Sequence, residues 1–346
     1  MSDLTLPTIP DLSDATLSAA LRHKIDRKTV PHGALGRLAA LAERLGMILG
    51  TTEPLLKQPQ LVVFAADHGI VARGVSAYPS EVTGQMVGNF LAGGAAVSVL
   101  ARQHGIAQTV VDCGVRRAFD PAPGLLIRRI APGTADCSAG PAMTPAQCAQ
   151  ALQNGIEMMK ALPGNALLPG EMGIGNTSAA SLLVARLAGL DVAEVTGAGT
   201  GLDAPGIARK TAVLRQALAA NAGATEPLAA LAALGGFEIA TMVGAMLQAA
   251  SERRVIVVDG FIASAAVLVA SKLAPHVLQR CVFAHRSDER GHARLLQLLG
   301  VEPLIDLGLR VGEGSGAVLA WPLLESACRI LNEMASFESA GVSDRA

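Results

Sequence analysis

Glu313 lies between Gly312 and Gly314 in the run GLRVGEGSGA at 308–317, a carboxylate framed by residues that let the backbone come close to a ligand. Burial there would lift its pKa toward the operating pH, which is what a general base needs. The ordinary alternative is an acid at a helix N-terminus, held by the helix dipole. A second segment, GEMGIGNTSAAS at 170–181, sets Gly170, Gly173 and Gly175 ahead of Asn176, Thr177 and Ser178. Backbone amides in such a turn can approach an anion while the side-chain oxygens cap the following helix. A capped structural turn is the plainer reading of the same residues. The segment is not a Walker loop, since no Gly-Lys-Ser/Thr follows, and it is not GxGxxG.

TGAGTGLD at 196–203 supplies a second flexible loop, and the helix after it carries Arg209 and Lys210. Lys210 could reach a phosphate lying between the two loops, but for one basic residue a solvated lysine on an exposed helix face is the usual reading. Asp67 and His68 follow an apolar run in FAADHG, where a pair tying loops together is the leading interpretation. His285, Arg286 and His292 form another polar group, but their spacing matches no metal-ligand pattern. Neither a metal nor a cofactor is expected.

These segments need a scaffold that gathers them. Short apolar runs without polar alternation recur at 60–66, 108–112, 253–258, 279–283 and 303–307, as expected for parallel strands covered on both faces. Helical spacing marks 12–49, 81–103, 144–161, 176–188, 204–222, 237–251, 261–272, 289–299 and 315–336. The pattern predicts an α/β fold with a doubly wound parallel sheet. In such sheets ligands bind beyond the carboxyl ends of the strands, where the glycine-rich segments fall.

The chain has 346 residues, enough for one large α/β domain and a small appendage. Hydrophobic residues make up 51% but aromatics only 3%, so small side chains must allow close helix-on-sheet packing. With 28 basic and 29 acidic residues there is no field to attract a polyanion, and nucleic acid is not expected as a partner. Any phosphate must be held locally. The five cysteines are scattered, without zinc or disulfide spacing, and read as reduced thiols. The N-terminus lacks a signal peptide's basic segment and apolar run, and apolar stretches elsewhere are interrupted by Gly or charge. The expectation is a cytoplasmic protein without a membrane span.

Taken together, and in unchanged order from Leu35 to Ala320, the segments resemble the nicotinate-nucleotide:dimethylbenzimidazole phosphoribosyltransferase family. The resemblance implies transfer of phosphoribose from nicotinate mononucleotide to a benzimidazole-type base by a homodimer with a doubly wound (Rossmann-like) sheet. It implies a small helical domain from residues 1–30 and 325–346 beside a catalytic α/β domain at 31–324. Glu313 matches the family's catalytic base. Pro79, Ser80, Gln85, Glu171 and Met172 would line the base pocket. Gly173, Gly175, Asn176, Thr177, Lys210, Gly260 and Ser287 would surround the phosphoribosyl group. Another azole, a purine or a phenol remains open as acceptor, as does a non-catalytic nucleotide-binding protein. A Rossmann oxidoreductase or methyltransferase is disfavoured because the first strand-to-helix turn, AADHG, lacks the glycine spacing.

Overall fold

Every residue of strand β1 (Gln60–Ala66) is buried, so both faces of the sheet must be covered at its centre. In the computed structural model, which describes residues 4–343, β1 pairs in parallel with β2 (Ala107–Gly114) on one side and β4 (Ala166–Met172) on the other. Strands β3 (Leu125–Ile127), β5 (Val255–Val258) and β6 (Cys281–Phe283) complete a six-stranded sheet of order β3-β2-β1-β4-β5-β6. The order reverses between β1 and β4, which opens a crevice at their C-terminal ends. The fold is the doubly wound α/β class expected.

Alternate side chains of β1 feed two separate layers. Leu61, Val63 and Ala65 pack with α1 (Ala15–Asp26), α2 (Arg37–Leu49), α3 (Glu81–Leu91), α4 (Ala96–Gln103) and α13 (Ser315–Glu333), whose Trp321 is fully enclosed. Val62, Phe64 and Ala66 face the other layer. That layer holds α5 (Pro145–Ala161), α6 (Asn176–Ala188), α7 (Val192–Val195), α8 (Ala204–Ala220) and α9 (Pro227–Leu234). It also holds α10 (Phe237–Ser251), α11 (Phe261–Leu273) and α12 (Arg290–Leu299), while a short α14 (Phe337–Ala340) follows α13. Small residues let helices touch: a Cβ on Gly155 of α5 would overlap the Thr241 carbonyl of α10, and one on Gly244 would overlap that of Leu152.

Several elements differ from the sequence expectation. The stretch 12–49 is two helices, parted where Pro31, Gly33 and Gly36 intervene, with both glycines at positive φ. Residues 81–103 also divide, at Ala92–Ala95, into α3 and α4. By length and composition alone Glu81–Gln103 could cross a membrane. Yet Val87, Phe90, Val97 and Ala101 from it are core residues here. The run 303–307 is not a strand; only Ile305 bridges to His285. The helix α9 and the central strand β4 were not expected. Pro169 and Gly170 disguise β4, since both are poor strand formers. Pro169 lies past the short β4–β5 ladder, Ala166 and Leu167, so a missing N–H on that side breaks no bond.

Candidate active site

A cavity opens beyond the C-terminal ends of β4, β5 and β6, walled by the loops that follow them and by residues 310–313. Of the residues singled out from sequence, Glu171, Met172, Gly173, Asn176, Thr177, Gly260, Ser287 and Glu313 line it. Gly175 lies just behind Asn176 as its helix cap, and Lys210 sits directly under Thr177. Pro79, Ser80 and Gln85 do not line the cavity: Pro79 and Gln85 are exposed and Ser80 is half-buried on the neighbouring wall.

Glu313 adopts a left-handed backbone, φ 65, between Gly312 at 74 and Gly314 at 93. A side chain in this region costs about 1–2 kcal/mol, a strain that marks positions held for function. Neighbouring glycine explains how the turn fits. A Cβ on Gly170 of β4 would overlap the Glu313 carbonyl oxygen, so the strand-breaking glycine is what lets the loop lie on the sheet. Burial pushes the Glu313 carboxyl up, the Val97 N–H at the start of α4 opposes it, and Asp259 adds to it. Its Oε2 is buried without a hydrogen-bond partner among the described residues.

Glu171 is the last-but-one residue of β4. Its Oε1 accepts the Glu313 backbone N–H at 3.3 Å and its Oε2 accepts from Asn176 Nδ2. Burial, reinforced by Asp259, raises it to about 8 despite those two donors. Asp259, directly after β5, was missed from sequence although its neighbour Gly260 was named. Its two oxygens accept the N–H groups of Gly314 (3.3 Å) and Ala317 (3.1 Å), so it caps α13 and fixes the Glu313 turn from below. His285 Nε2 lies 3.5 Å from the same carboxylate, and burial raises Asp259 against those partners.

The opposite wall gathers groups that can meet an anion. Helix α6 (13 residues) starts at Asn176 after Gly175, φ 94, and Asn176 and Thr177 of its first turn line the cavity, while the Asn176 and Ser178 N–H groups donate back to Gly173 O and Gly175 O. Lys210 from α8 is fully buried, and its Nζ donates to Thr177 Oγ1 at 2.8 Å; burial lowers it to about 8, with Glu289 pulling the other way. Arg310 reaches Gly199 O from the rim at 3.3 Å. Ser287 is held by its N–H, which donates to His292 Nδ1 at 2.8 Å. Burial drops His292 to about 3, so a neutral ring accepts that bond and its Nε2 faces Ser264 Oγ at 3.0 Å. Glu289 and Arg310 line the cavity too; neither was singled out from sequence, although Arg310 lies in the same GLRVGEGSGA run as Glu313.

Under the glycine turn, His68 Nε2 meets Glu238 Oε1 at 2.5 Å, both buried. Burial works against charge on His68, but Glu238, with Asp67 and Glu171 behind it, holds its pKa above the usual value. A Cβ on Gly173 would come within 3.3 Å of His68 Nε2 and 3.4 Å of Glu238 Oε1. The pair expected to tie loops together does so, with a partner that sequence spacing did not reveal.

The sheet order and the place of the cavity define the class: an α/β enzyme working at the carboxyl ends of a doubly wound sheet. A family model described as phosphoribosyltransferase matches residues 10–342, and the chain belongs to that family. It is 70% identical over 342 residues, 99% of this chain and 98% of the other, to nicotinate-nucleotide--dimethylbenzimidazole phosphoribosyltransferase of Variovorax paradoxus (strain S110). The enzyme of the same name from Cupriavidus necator is 57% identical over 343 residues, 98% of this chain and 99% of that one. Among solved structures, the nicotinate-nucleotide-dimethylbenzimidazole phosphoribosyltransferase of Thermus thermophilus superposes with a TM-score of 0.92 at 43% identity, covering 96% of this chain and 100% of that one.

Proposed function

We propose that this protein moves the phosphoribosyl group of nicotinate mononucleotide to 5,6-dimethylbenzimidazole, giving α-ribazole 5′-phosphate and nicotinate. The observation that carries the reading is Glu313, a strained, buried carboxylate with a free oxygen, across one cavity from an anion cradle. The full-length similarity to enzymes of that name supports it.

In nicotinate mononucleotide the pyridinium nitrogen is cationic. Nicotinate therefore leaves C1′ with the bonding pair and needs no proton. One acceptor ring nitrogen attacks C1′ from the opposite face while the other passes its proton to Glu313, and inversion converts a β- into an α-riboside. Asn176, Thr177 and Lys210 would hold the phosphate, converting affinity for a remote group into alignment at C1′. Gly173, Gly175, Gly260 and Ser287 would leave room for the sugar. Glu171 and Met172, with Pro79, Ser80 and Gln85 from the adjacent wall, would contact the acceptor. The test is product analysis: purified protein with both substrates should yield nicotinate and an α-configured riboside phosphate by chromatography and NMR. A β-configured product, or none while adenine or a phenol is ribosylated, rejects the stated mechanism or acceptor respectively.

We also infer a homodimer in the cytoplasm. Only 39% of the apolar window in Glu81–Gln103 is buried within one chain, and Val99 on it is half exposed, which a second copy would cover. All five cysteines are unpaired, in keeping with a reducing compartment. Residues 1–30 and 325–346 are assigned to a small helical domain, supported by the Lys28–Ser336 bridge joining the two ends; positions 1–3 and 344–346 lie outside the described residues. Light scattering of the purified protein would read the oligomeric state.

A further inference from the structure

On α3 the inward face is Thr83, Gly84, Val87 and Phe90, the spacing of one helical stripe. Thr83 alone on it is a fully buried hydroxyl, and a buried hydroxyl requires partners. Its Oγ1 accepts the backbone N–H of Ile174 at 3.0 Å. The same hydroxyl faces the Asp67 carboxyl, which burial raises and which the Arg116 N–H (2.8 Å) and Thr83 hold back. Three segments thus meet at one oxygen: the end of β1, the wall helix α3 and the β4–α6 turn.

That turn is closed by its own backbone bonds, Asn176 N–H to Gly173 O at 3.0 Å and Ser178 N–H to Gly175 O at 2.9 Å, and these bonds stay within the turn rather than tying it to α3. Ile174 stands between Gly173 and Gly175, and the residues that follow, Asn176 and Thr177, face the cavity. Asn176 in turn donates to Glu171. A shift of Ile174 would therefore carry both the anion cradle and a donor to Glu171 with it. Among the described residues, Thr83 is the side chain that accepts the Ile174 N–H.

The geometry points to Thr83 as a positioning residue for transfer: through Ile174 it sets the Gly173–Asn176 turn against the helix that begins beside Ser80. It acts on the reaction without touching substrate. The inference rests on the phosphoribosyl-transfer reading above, in which the turn holds the mononucleotide.

Steady-state kinetics of Thr83→Val, which keeps the shape and removes the hydroxyl, and of Thr83→Ser, which keeps the hydroxyl, test it. For the Val variant kcat/KM for nicotinate mononucleotide should fall about 10- to 100-fold, the scale of a misplaced reactant. The loss should be split between a raised KM for the mononucleotide and a lowered kcat, with KM for the acceptor base little changed. Thr83→Ser should stay within about threefold of wild type, well short of one decade. The Ile174 amide should exchange with deuterium faster in the Val variant and not in the Ser variant. A Val variant as active as wild type, a Ser variant as damaged as the Val variant, or a kcat loss with both KM values unchanged, as a reduced active fraction gives, would each overturn the role. If the Val variant does not fold, Thr83→Ala is judged by the same criteria. Wild-type protein inactive on these substrates would instead sink the functional reading, leaving the two failures distinguishable.

Discussion

The Glu313 backbone N–H donates to Glu171 Oε1, locking into one unit two carboxylates that are 142 residues apart in sequence. Because burial holds Glu171 up at about 8, it is largely protonated at neutral pH, and the pair need not carry two charges. Glu313 keeps the free oxygen, and so is the member able to take a proton from an acceptor.

Glu313→Gln should nearly abolish turnover while leaving binding of both substrates intact. The amide keeps the shape but cannot take the proton, and loss of a general base lowers rates about 10²–10⁴-fold. Initial rates and calorimetry on the same preparation check this. A variant keeping more than about a tenth of wild-type kcat, short of that range, would reduce Glu313 to a positioning group and make Glu171 the next carboxylate to test.

Lys210→Ala should weaken the mononucleotide more than the free base, since only the former carries phosphate. A lost charge-assisted hydrogen bond of about 1.5–3 kcal/mol corresponds to roughly ten- to a hundredfold in affinity. Lys210 is held down to about 8, so wild-type affinity for the mononucleotide should also decline as pH rises through 8, and this decline should vanish in the variant. Equal losses for both ligands in calorimetry would assign Lys210 to structure.

Glu171→Gln should make the fold more resistant to alkali. The folded state binds the Glu171 proton more tightly than the unfolded chain, whose carboxyl has the ordinary value of 4.5. The stabilisation tied to that proton is complete below 4.5 and is lost as pH rises through about 8. The variant should therefore gain on wild type by about 1–4 kcal/mol between pH 5 and pH 9, read from denaturant midpoints at each pH. A constant difference across that range would show that Glu171 does not titrate there.

Gly170→Ala should damage catalysis more than stability. The new methyl would meet the Glu313 carbonyl, and overpacking of this kind destabilises by about 1–3 kcal/mol while displacing the base. Gly223→Ala, with nothing within 4 Å of its added Cβ, is the control and should be active. Rates and melting temperatures of the two separate the effects.

The parallel strands β1, β2, β5 and β6 were legible because each is a nearly unbroken apolar run, the mark of burial on both faces. Helices α5, α6, α8, α10, α11 and α12 were legible from their spacing. The central strand β4 was not, and the reason is the site itself: Gly170 gives up strand propensity so that the Glu313 turn can lie on it. Glu313 and the Asn176–Thr177 cradle stood out because glycines surround them. Asp259 and Glu238 did not, since a capping carboxylate and a buried ion-pair partner are defined by contacts across the sheet rather than by neighbours in the chain. The run 303–307 was misread because only Leu304 and Ile305 bond to the chain at the end of β6, through Phe283 O and Ala284 O, and Leu307 is exposed.

The chain contains one tryptophan, and Trp321 lies on the helix whose first turn Asp259 ties to the Glu313 loop. Enclosed at 1% exposure, it is a built-in optical reporter. Tyr78, the single tyrosine, stands half exposed beside Pro79. The protein thus carries one dark-side and one solvent-side chromophore. Tryptophan emission reads the integrity of α13 during unfolding, and tyrosine absorbance reads the exposed segment ahead of α3, without a label attached to either.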